Sequence, residues 1–146
     1  MRLEPQTLKD INLLKHYRTI RKWACKTNGL SDSDLELLIY LDCEGRFTRK
    51  DYETGVFSYS WDKRRWDRLL KNGWIVVWRK RNHTTQKYHV YEVALRTKQL
   101  INRMYKIMLG QENLPTSTHN KIMLGRTYMD KVLSKSIISV NNDKNR

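Results

Sequence analysis

The sequence predicts a mainly α-helical chain with a small β-hairpin. Apolar residues recur at helical spacing in the first third of the chain and again beyond residue 95. Between residues 74 and 93 the pattern changes to two short β-branched and aromatic runs on either side of a cationic stretch. Only two prolines and six glycines interrupt the 146 residues, which favours continuous helices over a loop-rich scaffold.

In chain order, residues 6–27 read as one helix. Leu8, Ile11, Leu14, Tyr17, Ile20 and Trp23 recur by threes, and Asn28-Gly29 supplies a stop. A second helix begins at Ser31, where Ser31 and Asp34 have the spacing of a capping box, and ends near Glu44-Gly45. Thr48 opens a short third helix, with Asp51 three residues on and Gly55 just past its end. Ser58 or Ser60 then caps a fourth that runs to Lys71-Asn72-Gly73. Two short helices separated by a tight glycine-containing turn are the signature of a helix-turn-helix. Residues 74–78 and 88–93 follow as strands, with the polar stretch 79–87 as a long cationic tip, so the predicted class is a winged helix-turn-helix. A hairpin alone is marginal in water and has to pack on the helices.

Helical spacing returns over residues 95–109, with Leu100, Met104, Ile107 and Met108 on one face. Residues 110–118, with Pro115, read as a linker and residues 120–138 as a last helix. The polar tail 141–146 is expected to be disordered. The pentapeptide Lys106-Ile107-Met108-Leu109-Gly110 recurs at 121–125, too isolated to indicate a solenoid. The implied division is an N-terminal helix (1–29), a winged helix-turn-helix domain (30–94), C-terminal helices (95–140) and the tail.

Twenty-nine Lys and Arg against fifteen Asp and Glu give a net charge of +14. A nucleic-acid backbone is the polyanion that best matches such an excess. No stretch approaches the roughly 20 apolar residues of a membrane span, and there is no signal-peptide core at the N-terminus. A cytoplasmic, nucleoid-associated protein without a membrane partner is expected. Cys25 and Cys43 lack metal-ligand spacing and read as reduced, at least partly buried thiols. No metal motif, nucleophile triad or phosphate loop is present, so neither an enzyme nor a cofactor is expected.

Residues 60–71 carry the strongest local signal. Trp66, Leu69 and Leu70 form a face that can bury, which leaves cations elsewhere on the helix. A major groove admits one helix, whose first turns reach deepest. Tyr59, Ser60, Trp61, Lys63, Arg64 and Arg68 are therefore the candidates to touch double-stranded DNA from the helix, with Arg79, Lys80, Arg81 and Lys87 from the hairpin. Trp66, Trp74 and Trp78 read as core residues.

This order of elements, and above all the run Asp67-Arg68-Leu69-Leu70-Lys71-Asn72-Gly73-Trp74-Ile75, resembles the MarR-type winged-helix regulators. Leu95-Arg96-Thr97-Lys98-Gln99 looks like the start of that family's helix after the wing. Asp62 and Arg65 depart from it, standing where buried aliphatics are usual. The resemblance implies a homodimer interlocked through the terminal helices and a DNA-binding transcriptional regulator, a repressor. It brings in a small aromatic effector as a candidate partner, and a cysteine sensor at Cys25 as a remoter one. Two other readings compete: an architectural protein that coats DNA without reading it, and a winged helix used to bind proteins in a phage or polymerase assembly.

Overall fold

A computed structural model describes residues 3–55, 63–82, 87–117 and 119–144 of the chain, with side chains left undescribed at 54, 55, 81, 82, 87, 88 and 144. The described residues are mainly helical, with one small two-stranded antiparallel sheet. The chain divides into a central unit, Ser31–Ile101, and a terminal unit made of Met1–Leu30 and Asn102–Arg146.

The central unit begins with α3 (Asp32–Glu44), where Ser31 Oγ accepts from the Asp34 amide at 3.1 Å. The short α4 (Arg49–Gly55) has a reciprocal capping box: Thr48 N–H donates to Asp51 Oδ2 and the Asp51 N–H to Thr48 Oγ1. Both start signals are local in sequence, and both occur where they were expected. Next come α5 (Lys63–Lys71), β1 (Ile75–Asn82) and β2 (Lys87–Val93). The strands pair from Ile75↔Val93 outward to Asn82↔Lys87, with a bulge between Val77 and Arg79.

Two expectations about the hairpin need correction. Residues 79–82 are strand rather than tip, because ladder hydrogen bonds use backbone groups and tolerate polar side chains on an exposed ribbon. Trp78 is not core but 39% exposed, since the register shifts at its position. The sequence also gave no hint of a third pairing, in which Phe47 and Tyr91 exchange backbone hydrogen bonds of 3.0 and 2.7 Å on the free edge of β2.

Aromatic rings fill the centre of this unit. Trp66 is 2% exposed, and its ring centre lies 4.8 Å from that of Tyr52, 4.9 Å from Tyr91 and 6.1 Å from Phe47. Leu35, Leu38, Leu41, Leu69, Ile75 and Val93 of the same unit are buried as well. α6 (Leu95–Met108) starts in the central unit and ends in the terminal one. The Trp74 carbonyl accepts from both the Ala94 amide and Thr97 Oγ1 at its first turn.

In the terminal unit the single helix expected over 6–27 is two: α1 (Pro5–Asp10) and α2 (Leu13–Asn28). Asn12 breaks them apart at φ 46°, a left-handed conformation that asparagine tolerates better than most residues. The threefold spacing also misplaced the buried face. Steps of three lag a 3.6-residue turn by about 60° each, so such a row winds around the helix. The residues that bury are His16, Thr19, Ile20, Trp23, Ala24 and Cys25, while Leu8 and Leu14 are exposed.

The C-terminal segments also depart from expectation. The helix expected from residue 120 is a 3-10 turn (Lys121–Leu124), then a break, then α7 (Tyr128–Lys144). Both copies of the repeated pentapeptide end an element in the same way: Ile107 and Ile122 are buried, and Gly110 and Gly125 have φ of 80° and 59°. Glycine adopts that left-handed conformation without a Cβ clash. At its other end α7 continues through Asn141 and Asp143, assigned by sequence to the tail. Buried Asn141 donates to the Leu114 carbonyl at 3.1 Å and accepts from the Leu114 amide at 2.9 Å. Cys25 is buried as expected, but Cys43 is exposed, because it lies on the side of α3 away from Leu38 and Leu41. Among the described residues no helix is long and apolar enough to cross a membrane.

Candidate nucleic-acid interface

α5 is amphipathic at a 3.6-residue period. Trp66 and Leu69 are buried and Leu70 is half-buried, whereas Lys63, Arg64, Asp67, Arg68 and Lys71 are exposed. Aromatic packing around Trp66 sets the roll of the helix, and that roll decides which cations meet solvent.

Electrostatics divides these cations. Asp34 is buried on the first turn of α3, and Arg68 Nη2 donates to both of its carboxylate oxygens, at 2.8 and 2.9 Å. Arg65 Nε lies 3.0 Å from Oδ1, an ion pair in which the N–H is not aligned as a hydrogen bond. A buried carboxylate left alone would be costly, and two guanidinium groups compensate it. This explains why Arg65 occupies a position where an aliphatic was expected. Arg68, chosen from sequence as a DNA contact, thus has its guanidinium engaged inside the protein while its side chain stays 49% exposed. Lys63 and Arg64 are exposed.

On the hairpin, Arg79 and Lys80 are exposed at strand positions opposite Val90 and His89. Arg81 and Lys87 hold strand positions opposite Tyr88 and Asn82. Tyr59, Ser60 and Trp61 lie outside the described residues. Two arginines that the sequence did not single out sit on tryptophan faces: Arg46 over Trp78 at 3.8 Å, and Arg96 over Trp74 at 3.7 Å. Arg96 also donates to the Asn72 carbonyl, tying α6 to the turn before β1. Both contacts join residues more than twenty apart, so no local pattern announces them. They hold the base of the hairpin by cation–π attraction.

A groove of about 730 Å³ lies wholly within the terminal unit. Its polar lining includes Lys9, Asp10, Lys15, His16 and Asp143, and it contains no Phe, Tyr or Trp ring. It offers paired charges rather than the stacking surface that a small aromatic effector would use. Lys15 and His16 both approach Asp143 Oδ2, at 2.5 and 3.4 Å, and these contacts hold the Asp143 carboxyl below the usual carboxylate range, Lys15 first. Among the described residues no group of His, Cys, Asp and Glu side chains is gathered to hold a metal ion.

No family model, no curated protein and no solved structure matches this chain.

Proposed function

We propose that the chain binds double-stranded DNA and regulates transcription as a repressor, acting as a homodimer without enzymatic activity. In this reading α3, α4 and α5 with the hairpin form a winged helix-turn-helix domain similar to those of MarR-type regulators. The start of α5 enters the major groove, and Arg79 and Lys80 meet the neighbouring backbone.

One observation carries the reading. α5 is locked to the core by Trp66 and Leu69, presents exposed Lys63 and Arg64 in its first turn, and is followed at once by a ribbon with exposed cations. The homodimer is supported by the terminal unit, where Leu14, Leu109, Tyr128 and Met129 are each more than 60% exposed. A second copy that covered these side chains would remove them from water.

The test is selection of bound sequences from random duplexes at physiological salt. A repressor prefers one roughly palindromic site by about 10³-fold or more over random DNA, and Lys63→Glu with Arg64→Glu abolishes that preference. A family of bound sequences with no shared site overturns the repressor and favours architectural coating. That second reading has its own support, because two of the five cations of α5, Arg65 and Arg68, are committed to Asp34 rather than to a ligand.

A further inference from the structure

We propose that Trp78 and Arg46 form a site for an unpaired base and its phosphate, so that the chain prefers DNA with an unstacked nucleotide over a perfect duplex. The inference rests on the nucleic-acid reading above, but not on α5.

The two arginine–tryptophan pairs of the central unit differ in what they leave open. Trp74 is 6% exposed, and Arg96, over its ring, also donates to the Asn72 carbonyl. That pair is occupied within the fold. Trp78 is 39% exposed, with the Arg46 guanidinium carbon 3.8 Å from its ring centre, and Arg46 is itself exposed. Among the described residues Arg46 has neither an ion pair nor a hydrogen bond beside this contact. A cation–π contact uses the face of the guanidinium and leaves its N–H groups, which lie in the plane, for a phosphate. Because the ring already holds the guanidinium in place, less side-chain freedom is lost when those donors are used.

The backbone explains how a tryptophan comes to stand there. The β1–β2 ladder shifts register between Val77 and Arg79, and Trp78 is the residue that this leaves without a partner on β2. Such a bulge turns a side chain out of the regular alternation. Ile75 is 1% exposed, yet all five residues from Val76 to Lys80 are exposed. Three successive apolar residues in solvent do nothing for the core, which marks a surface with another use. Arg79 and Lys80, next to the indole, have no ion partner among the described residues. Glu92, opposite Val76 on β2, pairs with Lys98.

One surface thus combines an exposed ring, a guanidinium fork and two further cations. An acidic peptide would match the cations but brings no flat ring for the indole. A perfect duplex also matches them, but its base faces are hidden in the stack and its grooves present only base edges. An unpaired nucleotide offers both parts: a base for Trp78 and a phosphate for Arg46. Every base has a π-face, so such a site tolerates any sequence.

The experiment compares binding of the full chain to two short duplexes of one sequence, with and without a single unpaired adenine, at fixed salt. The parent is expected to bind the duplex with the unpaired adenine about 5- to 100-fold more tightly, the worth of one base–aromatic stack. Trp78→Leu removes this preference, Trp78→Phe keeps most of it, and Arg46→Gln reduces it. A fluorescent purine in place of the adenine is expected to lose emission on binding the parent, because it stacks. That readout needs no variant, so it decides even if Trp78→Leu does not fold. Equal binding of the two duplexes, emission unchanged on binding, or a preference that survives in a folded Trp78→Leu variant overturns this inference alone. A parent that binds neither duplex, or that binds polyglutamate more tightly than either, overturns it together with the DNA reading.

Discussion

In the central unit Arg65 and Arg68 converge on Asp34, Arg46 and Arg96 sit over the rings of Trp78 and Trp74, and Lys98 pairs with Glu92. These five cations serve the unit's own fold, and its net charge is +4, from fourteen Lys and Arg against ten Asp and Glu. The terminal unit has only five carboxylates for its fifteen cations. Its few acids sit where they join segments: Asp143 and Asp130 tie α7 to the two ends of α2, and Glu112 ties the loop after α6 back to Arg103. The difference shows that a basic chain need not be basic where its most recognisable motif lies. Charge that is useful for packing and charge that is available to a partner are separate quantities, and only pairing distinguishes them.

Substitutions can break or sharpen this contrast. The largest expected effect is Trp66→Ala in the central unit, which removes the ring that Tyr52, Phe47 and Tyr91 pack against and lowers stability by about 3–5 kcal/mol in urea unfolding. A loss below about 1 kcal/mol would show that this unit is not organised around Trp66. In the terminal unit Asn141→Ala strips both partners from the Leu114 backbone and is expected to cost about 2–4 kcal/mol by the same measurement. If the helix end were merely a solvated tail, the change would be close to zero.

Asp34→Asn comes next. Removing one member of a fully buried ion pair costs roughly 3–5 kcal/mol, but Arg68 is half in solvent, so about 2 kcal/mol is expected. Duplex affinity at low salt should rise in the same variant, because two guanidinium groups lose their internal partner; unchanged affinity would mean that α5 does not face DNA.

The smallest effect is a pH dependence in the terminal unit. The folded-state pKa of Asp143 is depressed, by Lys15 and then His16, so its stabilising contribution is present above the ordinary carboxylate range and is lost as pH falls through the depressed value. Thermal midpoints followed from pH 6 downward should fall less in Asp143→Asn than in the parent. Parallel curves would remove Asp143 as a clasp between α2 and α7.

What was legible in the sequence was whatever depends on near neighbours along the chain. Ser31 with Asp34, and Thr48 with Asp51, announce helix starts because donor and acceptor lie within one turn. The change of period at residue 74 announces the hairpin, and Trp66 with Leu69 announces the buried side of α5. The break at Asn12 was hidden because asparagine fits both a helix and a left-handed turn, and the apolar row by threes seemed to continue through it. The candidate site was only partly readable: Lys63, Arg64, Arg79 and Lys80 are exposed cations, but nothing near Arg68 in the chain reveals the carboxylate 34 residues away that engages it.

By itself, then, the sequence determined the composition of this protein, its helix starts, its hairpin and the total positive charge, all of which follow from residue identity and spacings of a few positions. Only the tertiary structure decided which of those charges are neutralised. Ion pairs such as Asp34 with Arg68 and Asp143 with Lys15 join residues far apart in the chain, and Coulomb attraction depends on distance in space rather than along the backbone.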